Sequence, residues 1–272
     1  MKKLLYTLGI AIIVLSTAGC DVIDTPDRLK DVEKVPANKN ILLFDFTDQT
    51  CVNCPDAAAK IEELKAVYGD TLIAVSIHAY AFQLPIHTLL TDKGSEYELK
   101  FNKQRAHPMG SIDGKASMQF SDWKTGIRPR LAVKSPVGVE LSCDYNSATG
   151  EVAVTSVVTG YENTSDLKFL LWIVESDIVA KQITKQGVDE NYVHNHVFRD
   201  AINDTWGEDF AVEKNKTWEK EYRYSLNKEW KPENISIIGF VYSNSMMNNV
   251  ENESPVYQTA EVHLIGNETE IN

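Results

Sequence analysis

The stretch from Ile41 to Pro55, ILLFDFTDQTCVNCP, constrains the fold of this chain more than any other. A run of buried-strand residues ends in two cysteines three apart. Directly after it, Ala57, Ile61, Leu64 and Val67 recur at helical spacing until Gly69 and Asp70 stop the pattern. The cysteines therefore sit on a strand-to-helix turn. A thiol at a helix N-terminus faces unpaired N–H groups and the positive end of the macrodipole, which favour its thiolate. Cys51 is on this ground the expected nucleophile, and Cys54, one helical turn on, is near enough to close a disulfide with it.

The next apolar run, Thr71 to His78 (TLIAVSIH), reads as a buried strand and completes a β-α-β unit with parallel strands and a right-handed crossover. Ligands of open α/β sheets gather at the carboxyl ends of the strands, so His78 is expected on the same side of the sheet as Cys51. It serves there either as a strand-end hydrogen bonder or in the chemistry. Ala79 to Lys93, with Pro85 and His87, is long for a connection and reads as a lid or insertion. Weak helical character follows over Ser95 to Arg105. Ile112 is expected to start a returning strand, and Trp123, Ile127 and Leu131 to mark a closing helix despite Pro129.

Between about Leu131 and Gly138 the text changes. From Val139 onward it reads VELSCDY, EVAVTSVVTGY, LKFLLWIVESDIV, TWEKEYRYSL, ISIIGFVYS and YQTAEVHLI, short alternating strands parted by turn signals. Strands without intervening helices predict an antiparallel β-sandwich of the immunoglobulin-like kind. Thr184 to Phe210 is expected to be a long connection. The organisation is thus α/β plus all-β: a leader over 1–20, a tether over 21–40, and domains over 41–134 and 135–272.

Lys2 and Lys3 precede an apolar run from Leu4 to Leu15, and Ala18 and Gly19 lead to Cys20, which reads as a secretion signal. The run falls short of the roughly 20 apolar residues that span a bilayer. Asp21 to Asn40, with Pro26 and Pro36, suits a tether, to which Asp31 to Val35 adds an edge strand. A net charge of −12 with no long basic run excludes nucleic acid as a partner.

The Ala-Gly-Cys ending resembles a bacterial lipoprotein processing site, which implies that Cys20 is acylated and tethers the chain to a membrane. With Cys20 lipidated and Cys51 and Cys54 paired, Cys143 remains, in a strand-like context that suits a buried small hydrophobe. Export leaves a purely structural bridge as the other reading of the pair, although a bridge across two residues closes almost no loop. The segment around the cysteines resembles the thioredoxin superfamily, including the Asp45-Phe46 pair six residues before Cys51. That resemblance implies a thioredoxin-like first domain, an Asp45 buried beneath the cysteines, and a cis-proline facing them, for which Pro108 is the candidate. Thr50 and Val52-Asn53 depart from the usual tryptophan and Gly-Pro, so no direction of electron flow is carried over.

Nearly the whole chain also resembles the twenty-eight-kilodalton outer-membrane lipoproteins. The resemblance rests on the signal ending at Cys20, Cys51–Pro55 (CVNCP), Ser76–Ala79 (SIHA) and Asn195–Arg199 (NHVFR). It implies an outer-membrane location in the cell envelope.

Three functions follow. The first is thiol-disulfide exchange with envelope proteins: Cys51 attacks, Cys54 resolves, Asp45 accepts the proton, and Pro108 with the His107 backbone shapes the substrate groove. The second is a copper or zinc site built from Cys51, Cys54 and His78 or His107. The third is a surface binding or adhesion module on an inert scaffold. His194 and His196 alternate as two ligands on one strand face would, but no cysteine or carboxylate accompanies them, so His196 and Arg199 are expected to serve loop hydrogen bonding. No phosphate loop, catalytic triad or cofactor motif stands out, and no metal or cofactor is assigned.

Overall fold

Strict alternation in two neighbouring strands sets the layers. The computed structural model describes residues 38–80, 83–244 and 256–265. β1 (Ile41–Thr47) and β2 (Leu72–His78) run parallel in register, Ile41 beside Leu72 through Thr47 beside His78. Between them α1 (Cys54–Tyr68) carries Pro55 in its first turn, where the missing N–H costs nothing, and ends at Gly69 with φ of 55°. Ala57, Ile61 and Leu64 of α1 pack on Ile41, Leu43, Leu72 and Ala74, with Ile112, Trp123 and Ile127 closing the cluster. The opposite strand face presents Leu42, Phe44, Phe46, Ile73, Val75 and Ile77 to Tyr97 and Phe101 of α2 (Asp92–Phe101). Each large side chain so buried contributes about 1.5–3 kcal/mol.

β3 (Met109–Ile112) lies antiparallel to β1, so Ile112 ends the returning strand rather than starting it. α3 (Trp123–Arg130) forms despite Pro129, which occupies its last turn; Trp123 and Ile127 are buried and Leu131 falls just outside.

After β4 (Val137–Asn146) and β5 (Glu151–Gly160), β6 (Thr164–Glu175) and β7 (Ile178–Thr184) follow. The expected long connection is instead β8 (Gly187–His194), β9 (Val197–Ala201) and β10 (Glu208–Val212). β8 carries no strand signal of its own, because its first five residues are exposed on both faces of a two-stranded ribbon and show no apolar alternation. β11 (Thr217–Ser225), β12 (Ile235–Ser243) and β13 (Val256–His263) complete the order.

Among the described residues the largest sheet has eight strands in the order β13-β12-β6-β9-β2-β1-β3, with β10 also on β6. It is continuous across the change in sequence pattern: Ser76 of β2 pairs in parallel with Val197 of β9. A three-stranded sheet, β11-β5-β4, packs on its distal half through Val152, Val154 and Val158 against Phe169, Leu171, Ile173 and Ile237. The described residues fall in one compact unit.

The end of the expected tether is part of the fold. Lys39 is buried in an ion pair with Asp113 at 3.0 Å, and Asn40 bonds the Thr259 carbonyl at 3.0 Å. Cys20, the leader and the edge strand expected at 31–35 lie outside the described residues. Cys143 is only partly buried, its sulfur 3.4 Å from the His263 carbonyl.

Candidate active site

The alternation that buries Ile41 and Leu43 against α1 places Asp45 and Thr47 on that same face, and the register sets Ser76 and His78 beside them. Asp45 is 2% exposed. Its Oδ2 accepts a 3.2 Å hydrogen bond from Ser76, and its Oδ1 has no protein partner. Burial pushes its carboxyl up to about 7, against the smaller pull of the Ser76 hydroxyl and the His107 charge.

Cys51 and Cys54 form a disulfide with Cα atoms 5.4 Å apart. Cys54, not Cys51, is the first residue of α1 and is buried, whereas Cys51 is partly exposed in the turn before it. Asp48 organises that turn. Its carbonyl accepts the Cys51 N–H at 3.2 Å, and its Oδ1 accepts both the amide and the hydroxyl of Thr50.

The His107-Pro108 peptide is cis, at the start of β3, and pairing of Phe46 with Met109 brings it to the end of β1 where the cysteine turn begins. The His107 ring does not face open solvent. Its Nε2 lies 2.5 Å from Glu98 and its Nδ1 3.6 Å from Asp48, while His87 Nε2 sits 3.2 Å from the other Asp48 oxygen. Burial works against the His107 charge, but the two carboxylates outweigh it and raise the imidazole to about 9. Burial likewise opposes the Asp48 charge, yet His107 and Thr50 hold it at about 2.

The β7–β8 hairpin closes the site from a distant part of the chain. The Gln182 amide donates to the carbonyls of Cys51 at 3.0 Å and Asp48 at 3.3 Å, and Ile183 N–H donates to the Gln49 carbonyl at 2.8 Å. His194, at the end of β8, packs edge-on against His78 with ring centroids 5.2 Å apart. Burial drives both imidazoles toward the neutral form, His194 to about 4. Tyr192 packs edge-on against His194, and burial followed by the Asp45 charge raises its hydroxyl. His196 adopts φ of 57° and turns its Nε2 to Glu62, 3.2 Å away. His194 and His196 thus do not project as an alternating pair from one strand.

These side chains line a cavity of about 220 Å3 with Asp45, Cys54 and His78 in its walls. Asp45 Oδ1, His78 Nδ1 and His194 Nε2 are all buried there without a protein partner. Among the described residues no group of three or more histidines, cysteines and carboxylates is arranged to hold a metal ion. Asp48, Glu98, Gln182 and Tyr192 were not singled out from sequence; the one available signal is Asp48 itself, three residues before Cys51, where an aspartate suits a turn.

The sequence profile of the family described as Outer membrane protein Omp28 matches residues 96–259, more than half of the chain. The chain belongs to the Omp28 family. Membership sets it in the outer membrane part of the cell envelope. The matched region holds Glu98, His107, Pro108, Gln182 and His194 but starts after the cysteine pair, so the family assignment does not rest on Cys51 and Cys54. No curated protein matches the chain.

Among solved structures, HBP35 of Porphyromonas gingivalis superposes with a TM-score of 0.67 at 16% identity over 85% of this chain and 76% of that one. A protein of Agrobacterium tumefaciens gives 0.54 at 14% identity over 88% and 99%. These likenesses concern the fold alone. A domain of the outer membrane lipoprotein Omp28 from Porphyromonas gingivalis is 23% identical over 47% of this chain and 87% of that one, with a TM-score of 0.32 that carries no argument.

Proposed function

We propose that this Omp28-family chain is a lipid-anchored thiol-disulfide oxidoreductase of the outer membrane envelope. Its first segment, 41–134, is thioredoxin-like, and its second, 135–272, is an immunoglobulin-like sandwich joined to the first by the shared sheet. The observation that carries the reading is the Cys51–Cys54 disulfide at the start of α1, with the buried Asp45 carboxyl lining the same cavity as Cys54. The parallel β1-α1-β2 unit and the cis bond before Pro108 support the thioredoxin-like assignment. Acylation at Cys20 supplies the anchor.

In the reduced protein the Cys51 thiolate, the more exposed sulfur, attacks a substrate disulfide and displaces one substrate thiolate. Cys54 then gives its proton to the Asp45 carboxylate and attacks the Cys51 sulfur, which releases the second substrate thiolate and leaves the Cys51–Cys54 bond. The reverse sequence oxidises a substrate dithiol. A carboxyl whose midpoint lies near 7 is suited to take and return this proton at neutral pH. Pro108 and the His107 backbone border the entry to the cysteine turn and align the substrate chain, while the His107 side chain holds Asp48.

The test is trapping in cells. Cys54→Ser is expected to accumulate mixed disulfides with envelope proteins through Cys51, Cys51→Ser to trap none, and Cys20→Ser to lose lipid label. Absence of any adduct in Cys54→Ser, with a purified pair inert toward model disulfides, removes the oxidoreductase reading and leaves a binding module.

A further inference from the structure

A buried acid that takes a proton in every cycle must also lose it to solvent. The cavity on the α1 face offers a route. At its inner end stand Asp45 Oδ1 and the buried Cys54. At its outer end stand His196 and Glu62, whose side chain is 59% exposed. His78 Nδ1 and His194 Nε2 belong to the same lining, each residue more than nine-tenths buried and each of these atoms without a protein partner.

Polar atoms buried in that way are satisfied by ordered water where the space is polar and large enough, and about 220 Å3 accommodates several molecules. The titratable and polar groups of the cavity come from every element packed on it: Asp45 from β1, Ser76 and His78 from β2, Cys54 and Glu62 from α1, Tyr192 and His194 from β8 and His196 beyond it, with the His107 charge before β3 also acting on Asp45. Burial holds His78 and His194 toward the neutral form, so they pass a proton through hydrogen bonds without competing for it as fixed cations.

We propose that this cavity is the proton outlet of the thiol site: water held by His78, His194 and Tyr192 carries to solvent, past Glu62 and His196, the proton that Asp45 takes from Cys54. The inference rests on the oxidoreductase reading for its purpose, but not for its measurement. It gives the hairpin of the second segment a part in the chemistry of the first. His78, His194 and Tyr192 act through water on Asp45 and are positioning residues.

The test is hydrogen-deuterium exchange of the protonated Asp45 carboxyl in the oxidised full chain, followed by infrared spectroscopy after rapid dilution into deuterated buffer at about pH 6, below the carboxyl midpoint. The band is assigned by its loss in Asp45→Asn. Wild-type protein is expected to exchange within the mixing time. The His78→Phe/His194→Phe double variant, which keeps the ring contact and removes the water-binding nitrogens, is expected to exchange more slowly by about tenfold or more.

Ala58→Leu, which narrows the cavity from the helix side without altering a titratable group, is expected to do the same and stands in if the double variant does not fold. Exchange as fast as wild type in both, or a wild-type carboxyl that exchanges only on global unfolding, overturns the outlet. Failure of the oxidoreductase reading shows separately, as the absence of any Cys51 adduct when reduced wild-type protein meets oxidised glutathione.

Discussion

Asp45 and Asp48 stand three residues apart, both 2% exposed, yet burial brings one carboxyl to about 7 while the other stays at about 2. The difference is in their partners. Asp45 has one hydroxyl and an unpartnered oxygen at a cavity wall; Asp48 has the Thr50 amide and hydroxyl, His87 and the charged His107. Desolvation penalises the charged form in both places, and only a dense set of donors reverses it. The two clusters therefore divide the labour of the cysteine turn. The Asp48 cluster is a fixed charge network that shapes the turn, and the Asp45 cluster is left under-satisfied, which suits the change of protonation proposed for it.

Removing one member of the paired network should have the largest effect. His107→Ala leaves Glu98 and Asp48 as buried charges without their shared cation and should cost about 3–5 kcal/mol in denaturant unfolding at neutral pH. The sign follows from the raised imidazole: its stabilisation is complete below about 6.5 and is lost as pH climbs through about 9, so the penalty of the substitution should shrink above pH 9. A penalty that does not depend on pH would assign the loss to packing instead.

The two aspartates should respond oppositely to the same change. The folded state holds the Asp45 proton more tightly than the unfolded chain, so this group weakens the fold as pH rises from 3.8 to about 7. Asp45→Asn should be neutral below about pH 4 and stabilising by on the order of 3–4 kcal/mol above about pH 8. Asp48→Asn should destabilise by roughly 2 kcal/mol at neutral pH and converge on wild type as pH falls toward 2, where the native carboxylate is itself protonated. Equal signs for the two variants would break the comparison.

Gln182→Ala should act least, about 1 kcal/mol, because it removes neutral hydrogen bonds to carbonyls of the turn and leaves no charge unpaired. Its readout is faster amide exchange at the Cys51 turn with little change in global stability.

How far the sequence reveals this site depends on the range of the interactions. The apolar runs ILLFDFT and LIAVSIH state that both strands are buried, and the end of the second run sets His78 on the cysteine side of the sheet; that Asp45 lies beneath the cysteines is legible only through the resemblance of the segment around them. The helix after Cys54 is equally legible from its apolar spacing and from Pro55. The hairpin is not, since Gly187 to Val193 is mostly exposed and lies outside the main sheet, so nothing local announces that Gln182, Tyr192 and His194 return to the cysteines. The Asp48, Glu98 and His107 network is hidden for the related reason that a charge looks solvated until its partner is brought beside it: Asp48 meets His87 and His107 from distant parts of the chain, and only Glu98, nine residues before His107, is near its partner in sequence. The apparent break near Gly138 marks the end of helices in the text. The sheet crosses it through Ser76 and Val197.

The claim at the centre is that Asp45 takes the Cys54 proton during resolution, and the pH dependence of one step tests it most directly. The Cys51–glutathione adduct, formed by mixing reduced protein with oxidised glutathione, should decay at a rate that rises with pH through a midpoint near 7, as the carboxylate becomes available. Asp45→Asn should slow the decay and abolish that midpoint while adduct formation continues. A decay rate in wild type without a midpoint near 7, or one that Asp45→Asn leaves unchanged, would contradict the account.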